Sequence, residues 1–253
     1  MDDKPLADEV ALVTGAGRNI GRAIALALAD AGARVAVNVR ASIDEGQSVV
    51  DEITARGGDA LLVAADVTQR SQVDAMIDAT AKRWGRLDIL VNNAAIRHEF
   101  AFAELSFADW REAQSVCVDG AFHCTQAALP LLRASRMASV INIGGMTAHT
   151  GAARRAHVVT AKAAITGLTR ALAHDLAEFG ITVNCVAPGL VDTVRKPTSA
   201  SAGPAHHAIH ETVLGRRGRP DEIASVVVWL AGPGGRYVTG ETVHVNGGAY
   251  LGA

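Results

Sequence analysis

Short runs of aliphatic, β-branched residues alternate along the chain with longer segments in which apolar positions recur at helical spacing. Such alternation predicts βαβ units and a parallel sheet covered by helices on both faces. The first run, Val10 to Thr14, leads into a helical segment from Ile20 to Ala31 with Ile24, Leu28 and Ala31 on one stripe, closed by Gly32. Further strands are predicted at Val35 to Val39, Ala60 to Ala64, Ile89 to Asn92, Val140 to Ile143, Thr182 to Ala187 and Thr242 to Asn246, seven in all. The intervening helices are predicted at Ile43 to Arg56, Ser71 to Trp84, Asp109 to Leu132 and Val158 to Phe179. Periodicity is lost between Val194 and Arg219, in a stretch long enough to suggest a mobile lid over a substrate. No repeat or linker interrupts the pattern, so residues 1–253 read as one α/β domain.

Composition narrows what such a fold can be for. A chain of 253 residues with 49% hydrophobic content can bury a large core, which argues against disorder. Its 24 basic and 26 acidic residues leave a formal charge of −2, with no footprint for nucleic acid or for an anionic membrane surface. Twenty-five glycines beside only 4% aromatics predict tight turns, close backbone approaches and an aliphatic core. Cys117, Cys124 and Cys185 are too few and too unevenly spaced for a disulfide framework or a zinc cluster, which suits a reducing, cytoplasmic setting. Met1 to Asp8 is acidic and lacks an apolar stretch, and no run of about 18 apolar residues follows, so neither targeting to nor spanning of a membrane is expected.

Between the first predicted strand and helix lies Thr14-Gly15-Ala16-Gly17-Arg18-Asn19-Ile20-Gly21. A glycine-rich turn there presents backbone N–H groups and a helix N-terminus to a pyrophosphate, so a nucleotide is the natural ligand. The spacing is G-x-G-x-x-x-G rather than G-x-G-x-x-G. Behind it, in order, come Asp66-Val67, Asn92-Asn93-Ala94-Ala95, Pro188-Gly189 and Asn246-Gly247-Gly248. With these motifs the chain resembles the classical short-chain dehydrogenase/reductase family over essentially its whole length, and within it the ketoacyl-carrier-protein reductases and the sugar and alcohol dehydrogenases.

The resemblance implies a single-domain Rossmann-type doubly wound sheet and an NAD(P)-dependent oxidoreductase of carbonyl or related small molecules. It also implies a homotetramer paired through its long fourth and fifth helices. By the same resemblance Gly15, Gly17, Arg18, Asn19, Ile20 and Gly21 hold the cofactor phosphates, Asp66 meets the adenine amine and Val67 packs by the ring. Asn93 orders the strand end beside Ala94, Pro188 and Gly189 lie by the nicotinamide, and Val191 and Thr193 hold its carboxamide. Two positions depart from the family pattern. Asn19 replaces a glycine, which asparagine's tolerance of left-handed backbone permits, and Ala95 adds a methyl near the cofactor. The second strand ends Val37-Asn38-Val39-Arg40, with no acid for a ribose 2′-hydroxyl. Arg40 and Arg18 would clamp a 2′-phosphate instead, favouring NADP over NAD.

The family's proton donor, a tyrosine four residues before a lysine, is missing. Lys162 is kept as the retained catalytic residue, but the tyrosine position holds Val158, the serine position Gly145 and the asparagine position Cys117. His157 lies about 140° from Lys162 around a helix and should face away. His149, in the loop after the fifth strand, is a candidate acid, and Arg155 a candidate anchor for an anionic substrate. Cys117 reads as a buried helix cysteine rather than a nucleophile, and His206, His207 and His210 as solvated rather than metal-binding. Arg216-Arg217-Gly218-Arg219 reads as a solvated turn. Three readings stay open: a reductase with altered proton delivery, a catalytically silent NADP-binding subunit or sensor in a mixed oligomer, and non-redox chemistry in the same pocket.

Overall fold

The computed structural model describes residues 4–193 and 211–252. Seven parallel strands form one sheet in the order β3-β2-β1-β4-β5-β6-β7. They are β1 (Val10–Val13), β2 (Arg34–Val39), β3 (Ala60–Ala64), β4 (Ile89–Asn92), β5 (Ser139–Ile143), β6 (Thr182–Pro188) and β7 (Thr242–Val245). Each of the seven predicted strands is present, shifted by no more than a residue at either end. The long helices α1 (Asn19–Asp30), α2 (Ile43–Ala55), α3 (Arg70–Trp84), α4 (Phe107–Gln114), α5 (Gly120–Ala134), α7 (Ala156–Asp175) and α8 (Pro220–Ala231) cover the sheet, with a single turn, α6 (Thr147–Thr150), after β5.

The strands read as largely apolar runs because successive side chains enter two different cores. Ala11 and Val13 join Ile24 and Leu28 of α1 and Val227 of α8 on one face. Val10 and Leu12 join Val73 of α3, Cys124 of α5 and Val183 of β6 on the other. Buried polar side chains tie the central strands together: Asn92 Nδ2 donates to Asn142 Oδ1 (2.9 Å) and Thr125 Oγ1 (3.1 Å), and Asn142 Nδ2 donates to Thr169 Oγ1 (2.9 Å). Hydrogen-bonded buried amides of this kind fix the register of neighbouring elements, although Asn92 Oδ1 accepts no hydrogen bond among the described residues.

The predicted helix from Asp109 to Leu132 is instead two helices joined by a π-helical turn, Ser115–Asp119. Periodicity does not reveal one extra residue in a turn, and such turns occur often at functional sites. The helix predicted from Val158 begins earlier, at Ala156, and ends at Asp175 before a 3-10 turn, Ala177–Phe179. Of the predicted lid, only the turn from residue 211 onward is described, and His206, His207 and His210 lie outside the described residues. No described helix is long and apolar enough to cross a membrane.

At the far end of β1, Arg86 Nη2 donates to Glu9 Oε2 (2.9 Å) and to Asp88 Oδ1 (2.8 Å), and Asp88 Oδ2 accepts from Val10 N (2.8 Å). Burial, and then the charge of Asp88, push the Glu9 carboxyl up to about 7. The folded state therefore holds this proton more tightly than the unfolded chain. The stability this group contributes is full below the unfolded carboxylate pKa and is lost as pH rises towards about 7. Glu9→Gln should remove that loss, so its melting temperature should gain on wild type between about pH 5 and about pH 8. Parallel melting curves across that range would refute the assignment.

Candidate functional site

The strand order reverses between β1 and β4, which opens a crevice at their C-terminal ends, the usual place for a ligand in a doubly wound sheet. A cleft of about 550 Å³ lies there, bounded by the glycine loop, the ends of β2 and β4 and the start of the loop after β4. The loop needs its unusual residues. Gly15 has φ +63° and Asn19 φ +52°, the left-handed backbone that asparagine tolerates, and no side chain caps the N-terminus of α1. A Cβ on Gly21 would collide with the Gly15 carbonyl and stand 2.5 Å from Asn93 Nδ2. That close approach lets helix and strand pack at the loop.

Asn93 holds the loop from the β4 side. Its Nδ2 donates to the carbonyls of Thr14 (2.8 Å) and Gly15 (3.0 Å), and the Thr14 hydroxyl accepts from the backbone N–H groups of Asn93 (2.9 Å) and Ala94 (3.0 Å). From the β2 side, buried Asn38 accepts from Gly15 N (3.3 Å) and donates to the carbonyls of Val63 (3.2 Å) and Ala65 (3.1 Å). Arg18 and Arg40 line the far end of the cleft, with Arg18 Nε 4.0 Å from Glu45 and Arg40 Nη1 4.0 Å from Asp66 Oδ2. Asp66 Oδ1 accepts from Thr68 N (2.9 Å) and Thr68 Oγ1 (2.8 Å), so it also shapes the turn before α3. Val67, Asn93, Ala94 and Thr193 border the same cleft.

An inner pocket of about 100 Å³ continues from the cleft between β5 and β6, and Ile20, Pro188, Gly189, Val191 and Thr193 line it together with Gly145, Val158 and Lys162. One helical turn of α7 separates Val158 from Lys162, which puts them about 40° apart on one face. Lys162 Nζ donates to the Ile143 carbonyl at 2.5 Å. Burial pushes its ammonium below the ordinary lysine range; the charges of Arg97 and Arg155 add to this, against the pull of Cys117 and Cys185. A Cβ on Gly145 would meet nothing nearer than Lys162 Cγ at 3.9 Å. No tyrosine lines either cavity: Tyr237 is fully exposed and Tyr250 stacks on His149 with ring centroids 5.5 Å apart.

His149, expected as a possible acid, does not line the pocket. It turns towards β7 and packs edge-on against His244 at 4.6 Å, and burial lowers the pKa of both. His157 is buried against Phe100, away from the pocket, as its helical position predicts. Arg155 caps the start of α7 and does line the pocket. Cys117 is buried in the π turn, and burial pushes the Cys124 thiol up to about 12. Among the described residues no three metal-ligating side chains cluster. Arg216 pairs with Glu222 and Arg219 with Asp221 in an exposed turn before α8. Two polar residues lining the inner pocket escape the sequence reading, Arg97 and Thr147. The only sequence signals for them are a cation after the Asn92-Asn93-Ala94-Ala95 motif and a hydroxyl two residues past Gly145.

Comparison with known proteins agrees with this architecture. Residues 15–250 match the family described as enoyl-(acyl carrier protein) reductase. The chain is 39% identical to a 3-oxoacyl-(acyl-carrier-protein) reductase of Staphylococcus aureus over 242 residues, 95% of this chain and 98% of that protein. It is 40% identical to an uncharacterised oxidoreductase of Methylorubrum extorquens over 245 residues, 96% of this chain and 98% of that one. Among solved structures, a dehydrogenase/reductase from Sinorhizobium meliloti superposes with a TM-score of 0.92 at 37% identity, covering 98% of each chain. A short-chain dehydrogenase from Burkholderia cenocepacia, solved in complex with NADP, gives 0.89 at 35% identity and covers 97% of this chain and 99% of its own. The sheet order, the glycine loop at the strand reversal and a family match from residue 15 to residue 250 lead to one assignment: the chain belongs to the short-chain dehydrogenase/reductase family of oxidoreductases.

Proposed function

We propose that the protein is an NADP-dependent reductase of small carbonyl or related compounds in which Lys162, rather than a tyrosine, supplies the proton. One observation carries this reading. Among the described residues lining the inner pocket, Lys162 is the side chain whose charged form can give up a proton, the other two cationic ones being arginines. Its depressed pKa suits it to that task.

The cleft fits a dinucleotide: an uncapped helix N-terminus with no acid in its first turn meets a loop whose glycines leave no room for side chains. Gly15, Gly17, Asn19, Ile20 and Gly21 would hold the pyrophosphate, Arg18 and Arg40 the 2′-phosphate, and Asp66 and Val67 the adenine. Asn93, Ala94, Pro188, Gly189, Val191 and Thr193 would seat the nicotinamide end. Bound NADPH supplies a hydride. Lys162 would then deliver its proton to the substrate oxygen on which charge develops, beside a wall formed by Val158, Ile143 and Met146. We place this reductase in the cytoplasm, as one domain assembled into a homotetramer through α5 and α7. Phe122 on α5 is half exposed and available for such pairing, whereas Ile165 on α7 is spent on the chain's own core.

Fluorescence titration with NADPH and NADH tests the cofactor assignment. Arg40→Ala should weaken NADPH about five- to tenfold, the modest effect expected of an exposed cation, and leave NADH within about twofold. Absence of binding by either nucleotide at submillimolar concentration would sink the reading. The competing reading, a silent NADP-binding subunit, is favoured by the loss of a hydroxyl at both Val158 and Gly145. A panel of ketones, imines and enones with NADPH separates the two.

A further inference from the structure

The inner pocket is strongly positive. Among the described residues, Arg97, Arg155 and Lys162 line it and no carboxylate does. Arg155 is only 7% exposed and Lys162 9%, so two of these charges are largely removed from water. The first turn of α7, to which Arg155 is the cap and Val158 belongs, carries no acidic residue, so the helix dipole adds positive potential at the same wall. Charges of one sign gathered in a desolvated concavity focus a field that concentrates anions. Val158 and Gly145 meanwhile bring no hydroxyl to the wall beside Lys162, and a Cβ at Gly145 would meet only Lys162 Cγ, at 3.9 Å.

Resting on the reductase reading above, we propose that the substrates are small oxo acids whose carboxylate is held by Arg155. Arg97 borders both the pocket and the outer cleft and adds a second guanidinium to the site. A planar guanidinium matches a carboxylate with two parallel hydrogen bonds, which fixes the angle at which the neighbouring carbonyl is presented. In the reaction the hydride from NADPH forms the new C–H bond as the C=O π bond breaks. The oxygen takes its proton from Lys162, the products are the hydroxy acid and NADP⁺, and Lys162 recovers a proton from water.

The test compares 2-oxobutanoate with its methyl ester, which carries the same reacting carbonyl without the charge. In the wild type, kcat/KM for the acid should exceed that for the ester at least tenfold, and Arg155→Gln should bring the ratio close to one. Oxamate, a carboxylate probe that is not reduced, should bind the protein–NADPH complex by calorimetry about tenfold more weakly in Arg155→Gln, and more weakly in high salt, while NADPH affinity stays within twofold. If Arg155→Gln does not fold, the wild-type acid-to-ester ratio and oxamate binding to Arg97→Gln carry the decision. An ester used as well as the acid, or oxamate binding indifferent to both arginines, would overturn the proposal while leaving the cofactor reading intact. Failure of the wild type to bind NADPH would instead overturn the reading on which it rests.

Discussion

Lys162→Met should lower kcat for reduction by a factor on the order of 10² to 10⁴, the usual worth of a positioned general acid. The side chain is largely buried and hydrogen-bonded to the Ile143 carbonyl, so methionine keeps most of its volume and removes the charge, the proton and that hydrogen bond. Lys162→Arg is the informative companion, because it keeps the charge and cannot release it near neutral pH, and it should be nearly as slow. The sign of the pH dependence follows from the same group. Protonated lysine is the active acid and its pKa is depressed, so kcat should fall on the alkaline side earlier than an ordinary lysine would allow. Arg155 and Arg97 contribute to that depression, so Arg155→Gln should move the alkaline limb upward. A Lys162→Met variant that keeps more than half the wild-type rate would end the assignment.

The second large effect is a gain. Val158→Tyr combined with Gly145→Ser should raise reduction of simple ketones about a hundredfold by restoring two hydroxyl donors at the pocket wall. The geometry permits both changes: a side chain at 145 meets only Lys162 Cγ at 3.9 Å, and position 158 shares the helix face of Lys162. NADPH affinity should change little, since Val158 and Gly145 line the inner pocket and not the outer cleft. Steady-state rates with a ketone panel decide the matter. If the wild type is inert to every substrate and only the double variant turns over, the chain is a silent subunit and Lys162 is no acid in it.

How far the sequence led depends on what each residue answers to. Strands such as Val35 to Val39 were legible because both sheet faces are buried and the run is apolar but for Asn38. The glycine loop was legible because backbone conformation restricts residue type, down to the left-handed Asn19. The turn at Ser115–Asp119 was not, since its extra residue changes hydrogen bonding and leaves the apolar spacing nearly intact. The packing of His149 was not legible, because the direction of a side chain just after a strand is set by its tertiary neighbours, here His244 and Tyr250. Arg97 and Thr147 went unseen for the same reason. Arg155, by contrast, reaches the pocket although α7 starts one residue beyond it, because the cap position still projects along the first turn.

Asn38 stands at the end of β2 and its amide reaches both ways, to the Gly15 N–H and to the carbonyls of Val63 and Ala65. With Asn93 clasping the same loop from β4, the glycine loop is braced from two strands and joined to a third. A turn so braced has already lost its conformational freedom during folding, and nothing further need be ordered there when an anion arrives. Nucleotide capture at this end should accordingly be an encounter with a finished surface, so whatever slow step the protein has lies with the groups around Lys162 rather than with the glycine loop.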